Sequence, residues 1–167
     1  MGFEDLLEVM KEHPDIWVVT DTKSANKKGI QRDFTEMLKE IKEADAERVM
    51  NQFIVQIYNE EMLEVVREFY PFDNIIFTMY KRWNEEDGME DFGNICRWCS
   101  ENGVRTITMY SDLYNDEIRA VLEKYGIEVY LHTVNDVDEA AQLIKNGARG
   151  IYTDMINPDE LEAALKE

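Results

Sequence analysis

Positive charge is scarce in this chain of 167 residues, where 18 Lys and Arg stand against 36 Asp and Glu and leave a formal net charge of -18. A surface so acidic is repelled by polyphosphate backbones and by anionic membranes, so no nucleic-acid partner is expected. Long apolar runs are missing as well, which excludes a membrane-spanning helix. The opening residues, MGFEDLLEVMKEH, are acidic and amphipathic rather than a charged-then-apolar export signal. The expected location is therefore cytoplasmic, or else one that no segment of the sequence specifies. Histidine occurs twice, as His13 and His132, and cysteine twice, as Cys96 and Cys99. The cysteines have the spacing of redox and zinc motifs, but they lie late in their expected helix and no further zinc ligands accompany them. They read as reduced, partly buried packing residues on one helical face. Proline is confined to three positions, 14, 71 and 158, and each marks the edge of an element.

What the chain does have is alternation. From Gly126 to Asp154 it reads GIEVYLHTVNDVDEAAQLIKNGARGIYTD, a strand, a helix and a second strand in succession. Ile127 to Thr133 is apolar, aromatic and β-branched, as a buried strand requires. Asn135 is expected to cap the helix, Asp136, Asp138 and Glu139 load its first turn with negative charge, and Val137, Ala140, Ala141 and Ile144 form its apolar stripe. Asn146 and Gly147 stop it before a second strand at Ile151 to Thr153. A unit of this length implies parallel pairing through a right-handed crossover.

The same theme runs through the rest. A helix carrying Phe3, Leu6, Leu7 and Met10 precedes a strand at Ile16 to Val19. Further strands are expected at Phe53 to Ile57, Ile75 to Met79 and Val104 to Met109, and a helix follows each. No linker or composition shift divides the chain, so residues 1–167 are expected to form a single α/β domain of about six strand–helix units. Periodicity leaves two architectures open, a doubly wound sheet and a barrel; in both, ligands bind where strands end at their carboxyl side. Those ends offer Asp21 and Lys23, Gln56, Thr78 and Tyr80, Thr108 and Tyr110, His132, and Asp154. Asp21 and Lys23 face one side by the two-residue strand period, which suits a cation and a phosphate oxygen. They suit equally the solvation of a strand end. The aromatic residues Tyr80, Trp83, Tyr110 and Tyr114 fit either a substrate mouth or lids over the core.

VVTDTK at Val18 to Lys23, FIVQIY at Phe53 to Tyr58, and VYLHTVND followed by NGARGIYTD resemble the carboxyl-terminal portion of glycerophosphodiester phosphodiesterases. That resemblance implies a TIM-barrel-like (β/α) fold of the PLC-like phosphodiesterase type, and hydrolysis of glycerophosphodiesters with help from calcium or magnesium. By it, Asp21 stands at the metal-binding carboxylate, Lys23 at the phosphate-contacting lysine, and His132 at an aromatic residue lining the substrate pocket. Gln56 and Tyr80 join Lys23 and His132 as expected substrate-binding residues.

The chain departs from that pattern at its chemistry. The family's His-Arg-Gly strand end, its Glu-x-Asp pair and its second histidine are absent, and with them the pair that would take and give protons. A lone Asp21 also supplies one carboxylate where a hard divalent ion wants several oxygens. No catalytic residue is therefore assigned. An eight-stranded barrel reduced to about six strands leaves two open edges. The expectation is an incomplete barrel whose edges are covered by an upstream segment, by a second copy, or by the helix at Phe3 to Met10. Two functions stay open: a phosphoric diester hydrolase whose catalytic half lies elsewhere, and a non-catalytic, binding or self-associating barrel remnant.

Overall fold

The computed structural model describes residues 2–24, 26–79 and 88–166. The chain forms two compact units, Met1–Ile76 and Phe77–Glu167. The expected Tyr80 and Trp83 lie outside the described residues.

The first unit runs α1 (Phe3–Glu12), β1 (Val18–Thr20), α2 (Lys27–Glu43), a 3₁₀ segment (Glu47–Gln52), β2 (Phe53–Ile57) and α3 (Glu60–Phe69), and reaches β3 (Ile75–Thr78), which contains the boundary. Strands β1 and β2 are parallel, with Val18 opposite Phe53 and Thr20 opposite Val55. Helices α2 and α3 each start where an amide oxygen captures an unpaired N–H: Asn26 accepts from Gly29 and Asn59 from Met62, each at 3.0 Å. Leu7, Met10, Ile30, Phe34, Ile41, Met62, Leu63 and Val66 supply the helical half of the core, and α1 packs on α2, which packs on α3. The strand expected from Ile16 begins later, because the Ile16 N–H closes a turn onto the His13 carbonyl at 3.1 Å. The Gln52 side chain fastens that turn by donating to the carbonyls of His13 and Ile16, both at 2.9 Å.

The second unit continues with α4 (Gly88–Glu101), β4 (Thr106–Tyr110), a 3₁₀ turn (Ser111–Leu113), α5 (Asp116–Tyr125), β5 (Glu128–His132), α6 (Val137–Lys145), β6 (Gly150–Ile151) and α7 (Pro158–Lys166). Strand β5 lies between β4 and β6, parallel to both. Phe92, Ile95, Ile107, Met109, Ile118, Leu122, Val129 and Leu131 are buried between strands and helices. Gly126 ends α5 at φ 65°, a left-handed cap that a side chain would strain.

The cap of α6 is Asp136, which accepts from the Glu139 N–H at 2.9 Å, and not Asn135. Asn135 has a different task. Its side-chain oxygen accepts from the Asp154 N–H at 2.9 Å and from the Thr153 hydroxyl at 3.1 Å, joining the exits of β5 and β6. Thr153 in turn accepts from Met155 and Ile156, which turns the chain outward before it could extend β6. Among the described residues no helix is long and apolar enough to cross a membrane.

Candidate functional site

Two side-chain clusters stand at the carboxyl ends of the strands, one in each unit. In the first, β1 delivers Asp21 and Lys23 just past its last paired residue, and β2 delivers Gln56 and Tyr58 from alternate positions and hence one face. Lys23 Nζ donates to Asp21 Oδ2, the Tyr58 hydroxyl donates to Asp21 Oδ1, and Gln56 Nε2 donates to the Tyr58 oxygen at 2.8 Å. Thr20 adds a brace, its Oγ1 accepting from the Gln56 N–H at 3.2 Å. Gln56 and Tyr58 are buried, whereas the Lys23 side chain is 85% exposed and that of Asp21 49%. The arrangement is a rigid amide–phenol–carboxylate relay that ends on a lysine presented to water. Immediately after it α2 begins with Lys27 and Lys28 and has no acidic residue in its first turn.

The second cluster lies on one face of β4 to β6. Tyr110 is opposite His132, Thr108 opposite Tyr130, and Tyr130 opposite Gly150, so these side chains and that of Tyr152 share a side. His132 Nδ1 is 2.9 Å from Thr108 Oγ1. Burial lowers the His132 pKa below its usual 6.5, against a smaller opposing pull from Asp112, so the imidazole is neutral at pH 7. Burial likewise raises the Tyr152 phenol, helped by Tyr130 and opposed by the Thr108 hydrogen bond. A Cβ at Gly150 would lie 2.6 Å from the Tyr130 ring, so glycine there lets that ring lie against β6.

Asp21, Lys23 and Gln56 are thus brought together, and His132 belongs to the other cluster. Tyr58 and Tyr152 were missed by the strand-end reading, although each lies two residues beyond a position on the same face. His13 is exposed in the turn before β1, at the amino-terminal end of the strand. Cys96 and Cys99 are fully buried and not joined to each other, and burial pushes the Cys96 thiol up to about 12. Such a thiol stays protonated and serves packing. The hydroxyl of Thr78, at the end of β3, is buried without a hydrogen-bond partner among the described residues.

Among the described residues, no group of three or more His, Cys, Asp or Glu side chains could hold a metal ion. Calcium takes six or more oxygen ligands and magnesium six. Asp21 offers a single carboxylate, with one oxygen receiving Lys23 and the other Tyr58. The described donor set does not fit either ion.

No protein-family model matches the sequence, and no curated protein matches it. Solved structures do match. A protein from Silicibacter pomeroyi DSS-3, provisionally assigned as a glycerophosphoryl diester phosphodiesterase, superposes with a TM-score of 0.71 at 15% identity, over 98% of this chain and 55% of that one. A glycerophosphodiester phosphodiesterase from Parabacteroides distasonis ATCC 8503 gives a TM-score of 0.66 at 12% identity, over 98% of this chain and 63% of that one. The fold is that of part of a glycerophosphodiester phosphodiesterase barrel. Among the described residues six strands alternate with helices, the incomplete TIM-barrel-like pattern expected from the sequence. The chain spans little more than half the length of the first of these proteins, and identities of this size show the fold alone.

Proposed function

We propose that the chain is a phosphoester-binding portion of a phosphodiesterase-type barrel, which takes the phosphate of a glycerophosphodiester at Lys23 and does not cleave it unaided. The observation behind this reading is the relay from Gln56 through Tyr58 and Asp21 to Lys23 at the carboxyl ends of β1 and β2. A lysine oriented in this way meets a phosphate oxygen as a point charge, and the basic start of α2 adds to the local positive potential. The fold likeness supports a phosphodiester as the ligand class. Hydrolysis needs one group to take a proton and another to give one, and of the two histidines His13 stands at the opposite end of its strand.

Calorimetric titration with glycerol 3-phosphate is expected to show saturable binding that survives EDTA, together with no release of glycerol phosphate from glycerophosphocholine in the presence of calcium. Binding that requires calcium, or turnover by the purified chain, overturns this reading.

Self-association is a second reading, favoured by two exposed apolar side chains beside strands that pair on one side among the described residues: Trp17, 53% exposed before β1, and Met155, 76% exposed after β6. Sedimentation velocity at rising concentration is expected to show a larger species that Trp17→Lys abolishes; a single monomeric boundary throughout counts against it.

A further inference from the structure

Among the described residues, α2 is the only α-helix that carries more cations than carboxylates. Lys27, Lys28, Arg32, Lys39 and Lys42 stand there against Asp33, Glu36, Glu40 and Glu43, five against four, in a chain of net charge -18. Two such chains repel each other least where each is locally close to neutral, so this helix is the face at which a second copy meets the lowest barrier. The order of its charges runs against its own dipole. Lysines occupy the first turn, which has no acidic residue, and Glu36, Glu40 and Glu43 follow in the second half. Lys28, Arg32, Glu36 and Glu40 recur at every fourth residue and form one exposed row. Gln31, Thr35 and Lys39 form the next row, and an open groove runs between the two.

We infer that this face of α2 docks on the same face of a second copy, antiparallel across a two-fold axis at the level of residue 34, with the charged row of each seated in the groove of the other. The two-fold sets Lys28 against Glu40 and Arg32 against Glu36, each twice. A parallel pair would instead oppose Lys28 to Lys28 and Glu40 to Glu40. The antiparallel arrangement also brings the lysines of one helix to the negative end of its neighbour, so charges misplaced on their own dipole are well placed on the other. The aliphatic stems of Lys28 and Arg32 cover the groove while their charged ends meet the carboxylates. A uniformly acidic or uniformly basic partner matches only half of the row, and a second copy matches all of it. Trp17, Met155 and Lys23 take no part, so this contact is separate from the strand-edge association and from phosphate binding.

Sedimentation equilibrium of Trp17→Lys, which removes the strand-edge contact, is expected to show a dimer in about 0.15 M salt. In that background Lys28→Glu and Glu40→Lys are each expected to weaken the dimer about tenfold, because each sets two like-charged pairs face to face. The two substitutions move the net charge in opposite directions, so weakening by both separates the local contact from general repulsion. Combined in one chain they exchange the partners of each pair and are expected to restore the dimer to within about threefold. All four positions are exposed or remote from the core, and circular dichroism checks that each variant is folded. A monomer in Trp17→Lys at every concentration, or a combined variant as weak as its two single changes predict by addition, overturns the inference.

Discussion

Lys23→Ala is expected to weaken binding of glycerol 3-phosphate by about tenfold or more, and Asp21→Asn to strengthen it. The opposite signs follow from the geometry. In the unliganded protein the Lys23 ammonium is shared with Asp21 Oδ2, and a phosphate must compete for it. Removing the negative charge while keeping an oxygen for Tyr58 to donate to leaves that lysine more available, and it removes the repulsion between two anions at one strand end. Both side chains are largely exposed, so water already weakens their pairing and little stability is at stake in either variant. If instead the carboxylate binds a divalent ion that in turn binds the phosphate, Asp21→Asn abolishes binding together with Lys23→Ala. Calorimetry of the two variants, each with and without EDTA, tells these cases apart. Tyr58→Phe gives a third point: it removes the phenol that holds Asp21 and accepts from Gln56, and its effect is expected to lie between wild type and Lys23→Ala.

The sequence made the strand–helix alternation legible because two independent signals coincided at each junction. Strand β2 falls at Phe53–Ile57, as its apolar run indicates, and Asn115 caps α5 as expected. Boundaries moved where backbone groups had a nearer partner than the strand ladder. The His13 carbonyl takes the Ile16 N–H, and the Thr153 hydroxyl takes those of Met155 and Ile156. The cap expected at Asn135 falls instead on Asp136, because the closeness of the β6 exit in three dimensions engages the Asn135 side chain with Asp154 and Thr153. The site was legible in part for a related reason. Asp21, Lys23, Gln56 and His132 stand out as polar residues at strand ends, whereas Tyr58 and Tyr152 look like core aromatics until the two-residue period is carried one step beyond the last ladder bond. Tyr152 still bonds to β5 through its backbone, its N–H reaching the Leu131 carbonyl at 2.8 Å, so its side chain keeps the strand's facing after the strand has formally ended.

Phe34→Ala is expected to cost about 3–5 kcal/mol of folding stability. Phe34 projects from the middle of α2, is 1% exposed, and meets Phe69 at 6.3 Å and Phe72 at 5.9 Å between ring centroids. Those partners come from the end of α3 and the segment beyond it, so one ring joins α2 to the chain that leads into β3. Truncation to a methyl group removes the apolar area and also leaves a cavity between rigid helices, which close-packed neighbours can collapse into only partly. Phe34→Leu keeps most of the volume and is expected to lose less than half as much. The adjacent Thr35 is exposed, so Thr35→Ala is expected to stay within about 0.5 kcal/mol and controls for helix propensity. Urea unfolding followed by far-ultraviolet circular dichroism measures all three. A loss below about 1 kcal/mol for Phe34→Ala would mean that α2 is not held to α3 by this ring. The consequence reaches the site, since α2 begins at Lys27, soon after Lys23 in the chain, and the positive potential at its amino-terminal end depends on the helix being formed. Weakened phosphate binding in Phe34→Ala at a temperature where wild type is fully folded is the expected sign of that coupling, and the same protein below its transition should recover the wild-type affinity.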